Sequence, residues 1–147
     1  MDNSPAYIIK EYLVDQGDLT AFDASAGSWK VYMQNLPDGK EVDHDSVVCI
    51  DTAPFKDGRI MGGSPLFHFG VQILLRATEY DDGYAKASDL ALALDAVDDA
   101  TVNIGSDVYT INNVSQTTGV VRIGQEEGTK RREMFSVNFL ATIQEES

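Results

Sequence analysis

The chain has 147 residues, 43% of them hydrophobic, and its 24 acidic side chains against 11 basic ones leave a net charge of −13. That is the usual size of one domain and enough chain to bury a core unaided, and the composition excludes a disordered, collagen-like or membrane-spanning protein, since no apolar run approaches the roughly 20 residues that a bilayer crossing takes. The charge disfavours nucleic-acid or anionic-membrane binding as the main function, because phosphate contacts are made by clustered cations.

The acidity has two readings: solubility through like charge, or a surface serving assembly, by docking on a basic partner or by lining a pore through which DNA slides without sticking. The start Met1-Asp2-Asn3-Ser4-Pro5 has no basic segment leading into an apolar one, so no secretory signal is expected. A lone cysteine, Cys49, excludes an intramolecular disulfide and fits a reducing cytoplasm. It sits in the apolar run Val47-Val48-Cys49-Ile50, which predicts a buried structural thiol rather than a nucleophile.

In chain order, Ser4 is a suitable N-cap with Pro5 at the first helical position. Ile9, Tyr12, Leu13 and Gln16 follow at helical spacing, and Gly17 is the expected stop. Residues 18–28 are small and polar and predict a loop. Residues 29–36 alternate, with Trp29, Val31 and Met33 against Lys30, Tyr32 and Gln34, as a half-buried strand does. Pro37-Asp38-Gly39 signals a turn, 40–46 an exposed stretch, and 47–51 a second short strand.

Residues 52–65 hold Pro54, Gly58, Gly62, Gly63 and Pro65, breakers that predict a long loop, and a long loop in a compact domain tends to be functional. Residues 66–78 form the clearest strand. Phe67, Phe69, Val71, Ile73, Leu75 and Ala77 lie on one face and His68, Gln72 and Arg76 on the other, in a central strand expected to project past its neighbours. Asp81-Asp82-Gly83 opens a second helix whose apolar face is Ala87, Leu90, Ala91, Leu94 and Val97, ending near Asp98-Asp99. Thr101 to Ile104, a turn at Gly105-Ser106, and strands at 108–114, 119–123 and 133–143 complete an antiparallel meander, with a polar loop at 124–132 and a short acidic tail at 144–147. The expected fold class is therefore α+β: one domain, a single mixed, mainly antiparallel sheet with two helices packed on one face.

The search for catalysis is negative. Two histidines and one cysteine cannot by themselves supply a tetrahedral zinc set. His44, between Asp43 and Asp45, reads as a solvated loop residue, and His68, between Phe67 and Phe69, as a packing or interface residue. The stretch 58–63 lacks the lysine and Ser/Thr of a phosphate-binding loop, and a strand rather than a helix is expected after it. No catalytic, metal or cofactor residue is assigned. The anomaly in so acidic a chain is Lys130-Arg131-Arg132, too few cations for a nucleic-acid footprint. They read either as a solvated loop tip or as a contact to an acidic patch on a neighbouring copy.

The stretches Thr52-Ala53-Pro54, Asp57-Gly58-Arg59-Ile60-Met61-Gly62-Gly63, His68-Phe69-Gly70-Val71-Gln72-Ile73, Arg76-Ala77, Asp82-Gly83-Tyr84-Ala85-Lys86-Ala87 and Phe135-Ser136-Val137-Asn138-Phe139 together resemble the tail-terminator and minor capsid proteins of tailed bacteriophages. The likeness covers most of the chain and rests on the order and spacing of the motifs rather than on any one of them. It implies one sheet flanked by helices and no catalytic residues or cofactor. It also implies a homo-oligomeric ring, a hexamer, stacked on the last ring of the tail tube protein. Such a ring stops polymerisation and offers a surface to the head connector or neck protein, with DNA passing through unread and no membrane involved. Assembly would take place in the bacterial host cytoplasm, and the protein would end in the virion at the head–tail junction. The residues expected to meet neighbours are Arg59, Ile60, Met61, Gly62 and Gly63 in the long loop and Lys130, Arg131 and Arg132 before the last strand. Three rivals are carried beside this reading: a head-completion or connector ring of the phage neck, an acidic DNA mimic that inhibits a nucleic-acid enzyme, and a small enzyme whose site no motif shows.

Overall fold

The computed structural model describes residues 1–35, 45–59, 65–125 and 132–146 (backbone alone at 55–59 and 65–67). The first helix, α1 (Pro5–Asp15), is fixed by local chemistry at both ends. Ser4 Oγ accepts a hydrogen bond from the Tyr7 amide, and Pro5 occupies the first turn, where no N–H is needed. At the other end Gly17 takes φ +82°, its amide donates to Val14 and the Asp18 amide donates to Leu13, the paired bonds of a Schellman stop. A carboxylate from the sheet assists: Asp51 Oδ1 accepts from the Ala6 amide at 2.8 Å, next to the positive end of the helix.

Among the described residues eight strands make one sheet: β1 (Thr20–Ala21), β2 (Lys30–Met33), β3 (Ser46–Arg59), β4 (Pro65–Ala77), β5 (Ala100–Ile104), β6 (Asp107–Gln116), β7 (Val121–Gln125) and β8 (Glu133–Glu146). Their order is β1-β2-β3-β4-β8-β6-β5, with β7 also paired to β8. β1–β2 and β2–β3 are parallel and all other pairings antiparallel. The α+β class, the mixed and mainly antiparallel sheet and the central place of β4 are as expected, though the sheet is richer in strands and curls. Helix α1 touches β2, β3 and β4 and also β5 at the far edge, while α2 (Tyr80–Asp95) packs on β4, β6 and β8.

Between helices and sheet lies one core. Ile8, Ile9 and Leu13 from α1 and Ala87, Leu90 and Leu94 from α2 meet Val71, Ile73 and Leu75 of β4 and Phe135, Val137 and Phe139 of β8. The alternation expected along β4 and β8 holds for these residues, and Arg76, assigned to the opposite face, is itself buried. Gly83 lets α2 approach the sheet: a Cβ there would stand 2.5 Å from Phe135 Cε2 and 2.8 Å from the Ala77 Cβ.

Several expectations need correction. The stretch read as a loop at 52–65 is strand through Arg59, and strand again from Pro65. Two of its breakers, Pro54 and Gly58, sit at bulges. Thr52 pairs with Gly70 and Phe55 with His68, so the step across Ala53-Pro54 gains one residue on β3, and the step from Lys56 to Arg59 gains another across Asp57-Gly58. A proline that cannot donate is tolerated at such a bulge, and a strand glycine often marks one. Gly70 is required opposite the first bulge, since a Cβ would come 2.1 Å from Thr52 Oγ1.

The expected acidic tail continues β8, with Gln144, Glu145 and Glu146 paired to Thr110, Tyr109 and Val108. The predicted loop at 18–28 contains β1. Helix α2 stops at Asp95, before Asp98-Asp99. Asp99 instead makes a left-handed turn (φ +49°) pinned to Asn112 by two hydrogen bonds. The strand expected at 119–123 runs instead from Val121 to Gln125, and with β6 it forms one interrupted line along β8. The gap is bridged by the Thr117 amide donating to the Asn138 carbonyl and the Asn138 amide donating to Thr118 Oγ1. The turn at 37–39 lies outside the described residues.

Candidate assembly interface

The sequence-predicted contact residues fall in three places. Arg59 ends β3, opposite Pro65. Ile60, Met61, Gly62, Gly63, Lys130 and Arg131 lie outside the described residues, as does His44. Arg132 is described and is 3% exposed, so its side chain lies inside the protein rather than at a solvated loop tip.

What brings Arg59 out is the length of the β3–β4 hairpin. β4 pairs with β8 only from Phe69 to Ala77, whereas its pairing with β3 continues through His68, Phe67 and Pro65. The two strands therefore run on as a two-stranded ribbon with no β8 partner. At its root His68 Nδ1 and Thr142 Oγ1 are 2.9 Å apart, tying the ribbon to β8, and this gives His68 a packing role.

Elsewhere the surface carries apolar groups that stand well out into water. Along α2, Tyr80, Tyr84 and Leu92 are 47%, 48% and 68% exposed. With Ser88 they form an i, i+4, i+8, i+12 ridge. Tyr80 and Tyr84 stack at 6.2 Å and both rest on Phe135. The exposed carboxylates Asp81, Asp82, Asp89 and Asp95 accompany this ridge. Asp81 and Asp82 lie in the first turn, where negative charge suits the helix dipole, while Glu79 at the N-cap makes no side-chain cap. Beside α2, β7 exposes Val121 and Ile123, and Arg122 donates to Glu133 at 2.7 Å. That hydrogen bond raises the guanidinium pKa and lowers the carboxyl one.

A third surface lies beside α1. Tyr7, Lys10, Phe22, Tyr32, Met33 and Asn35 line a groove of about 320 Å³. Phe22 is 56% exposed and its ring centroid is 6.1 Å from that of Tyr32. Lys10 is buried, its Nζ 4.4 Å above the Tyr7 ring and 2.6 Å from Glu11 Oε1.

A further cleft of about 420 Å³ is polar, lined by Ser28, Trp29, Asp45, Asp82, Ala85, Lys86 and Asp89. Lys86 Nζ there donates to the Asp18 carbonyl. Among the described residues no group of three or more His, Cys, Asp or Glu is placed to hold a metal ion, and no helix is long and apolar enough to cross a membrane. Cys49 is fully buried, and burial pushes its thiol up to about 12. The thiol is therefore protonated and shielded near neutrality, as expected of a structural residue.

Set against known proteins, the chain matches no family model and no curated relative. Sequence reasoning passed over Phe22, Tyr32 and the α2 ridge. The available signals were a lone aromatic in a polar stretch and a second apolar stripe, at spacing four, beside the core stripe of α2.

Proposed function

We propose that this chain is a structural subunit of a tailed-phage virion, closing the head-proximal end of the tail tube as a ring of identical copies. The ring stops tail polymerisation and presents the surface to which the head connector joins. The observation that carries this reading is the β3–β4 ribbon, which runs past its last β8 partner and brings Arg59 to the end of a two-stranded arm. Such an arm is a means of reaching a neighbouring subunit or ring. The α+β sheet with helices packed against it agrees with the fold that the resemblance implies.

Electron microscopy of particles assembled without the protein tests the function. Overlong or headless tails are expected. DNA-filled heads that leak would assign the chain to the neck connector instead, and normal virions would remove it from assembly altogether. A narrower variant deletes residues 57–63. Pairing of β4 with β8 starts only at Phe69, so the shortened chain is expected to fold and to fail at head–tail joining. Normal virion yield would sink the assignment of the arm.

A further inference from the structure

We infer that the exposed ridge of α2 on one copy seats in the Phe22–Tyr32 groove of the next copy, with Leu92 as the anchor. This deepens the ring reading and rests on it only for the claim that the chain of contacts closes.

Among the described residues Leu92 is the most exposed of the large apolar side chains, at 68%, and it lies on a helix face that the core leaves uncovered. Isolated exposed leucines need no explanation, but here Tyr84 and Tyr80 continue the same row. A helix presenting anchors at spacing four is the form taken by a segment that docks in a groove.

The charges choose the partner. Two α2 ridges laid against each other would bring Asp81, Asp82, Asp89 and Asp95 of both copies together, and like charges at an interface oppose association. The groove differs: among the described residues no carboxylate lines it, and the charged lining residue is the cation Lys10. Glu11, bonded to that ammonium, lies just outside the lining. Phe22 and Tyr32 supply an aromatic wall already half open to solvent, of the composition found at the buried centre of interfaces. The volume of about 320 Å³ accommodates an aliphatic side chain and part of the helix behind it.

No groove residue belongs to α2, so ridge and groove are two different patches of one molecule. A contact between unlike patches is head-to-tail. Repeated from copy to copy, it gives a ring if the rotation closes and a filament if it does not.

Cysteine pairs test the contact directly, because Cys49 is buried and protonated and so stays silent to thiol reagents. A mixture of Leu92→Cys chains with Phe22→Cys chains, treated with a short bismaleimide, is expected to give a crosslinked heterodimer many-fold above either variant alone. Equal yields in the mixture and in the single variants would overturn the proposal. So would efficient crosslinking of Leu92→Cys chains to one another, which would mean that helix faces meet.

Both positions are exposed, so Leu92→Arg and Phe22→Ser are expected to fold, with circular dichroism as the check. Each should weaken self-association by about tenfold or more. Mixed, they retain one intact ridge and one intact groove and should stop at a one-to-one dimer. Recovery of larger assemblies, or of none, contradicts a head-to-tail contact. Overlong tails in the null mutant together with failed crosslinking would keep the ring and discard this interface.

Discussion

The two helices bury comparable faces and differ in everything else. Helix α1 is held by Ser4, Pro5 and Gly17 at its ends and by Asp51 from the sheet, and it buries five of its eleven residues, Lys10 among them. Helix α2 lacks a side-chain cap, carries carboxylates through its first turn, and leaves an apolar ridge in water. Nearly every unusual feature of α1 is explained by the fold. The exposed Leu92 on the ridge of α2 is not, since a side chain 68% exposed fills little of the core. Side chains that a fold does not need and water does not favour are where a partner is expected.

Stability measurements should separate the helices. Leu13→Ala, at a fully buried α1 position, is expected to cost about 2–5 kcal/mol in denaturant unfolding. A loss below about 1 kcal/mol would mean that α1 is not part of the core. Gly83→Ala should cost about 1–3 kcal/mol, because the added methyl meets Phe135 and Ala77. A neutral result there would mean that α2 sits farther from the sheet than described.

Alkaline pH probes the core beneath α1. The Cys49 thiol has an ordinary value of 9.0 and is pushed up to about 12 in the folded protein. Because the folded value is the higher, the contribution is complete below pH 9 and is lost as pH rises toward about 12, at about 1.4 kcal/mol per pH unit inside that window. Cys49→Val should flatten that part of the stability profile, and an unchanged slope would mean that the thiol is solvated. Ser4→Ala should cost about 1 kcal/mol, and less if Asp51 alone satisfies the first turn. The smallest effect is expected at Leu92→Ala, within about 0.5 kcal/mol for the isolated chain. A large loss there would make the ridge part of the fold and remove the contrast between the helices.

Much of this architecture is legible in the chain. Ser4-Pro5 and Gly17 mark α1, the alternation from Val71 to Ala77 and from Phe135 to Ile143 marks the two central strands, and the Ala87–Leu90–Leu94 spacing marks the buried face of α2. What stayed hidden depends on pairing. Pro54 and Gly58 break regular structure in a local reading, yet a bulge accommodates each of them once β4 lies alongside. Gln144 to Glu146 look like a solvated tail until β6 supplies partners. Asp51 reads as the end of a strand, and only the packing of α1 on β3 makes it a helix cap. Of the predicted contact residues, Arg59 ends a strand and Arg132 is buried. The groove beside α1 is assembled from Tyr7, Phe22 and Tyr32, distant in sequence, and no local pattern joins them.

The central claim is that copies of this chain form a ring where tail meets head. Immunogold labelling of virions with an antibody to the chain, followed by cryo-electron microscopy of the labelled region, tests it most directly. Label confined to the head–tail junction and a closed ring of this fold around the DNA channel are expected. Label elsewhere on the particle, or virions that contain none of the chain, would contradict it.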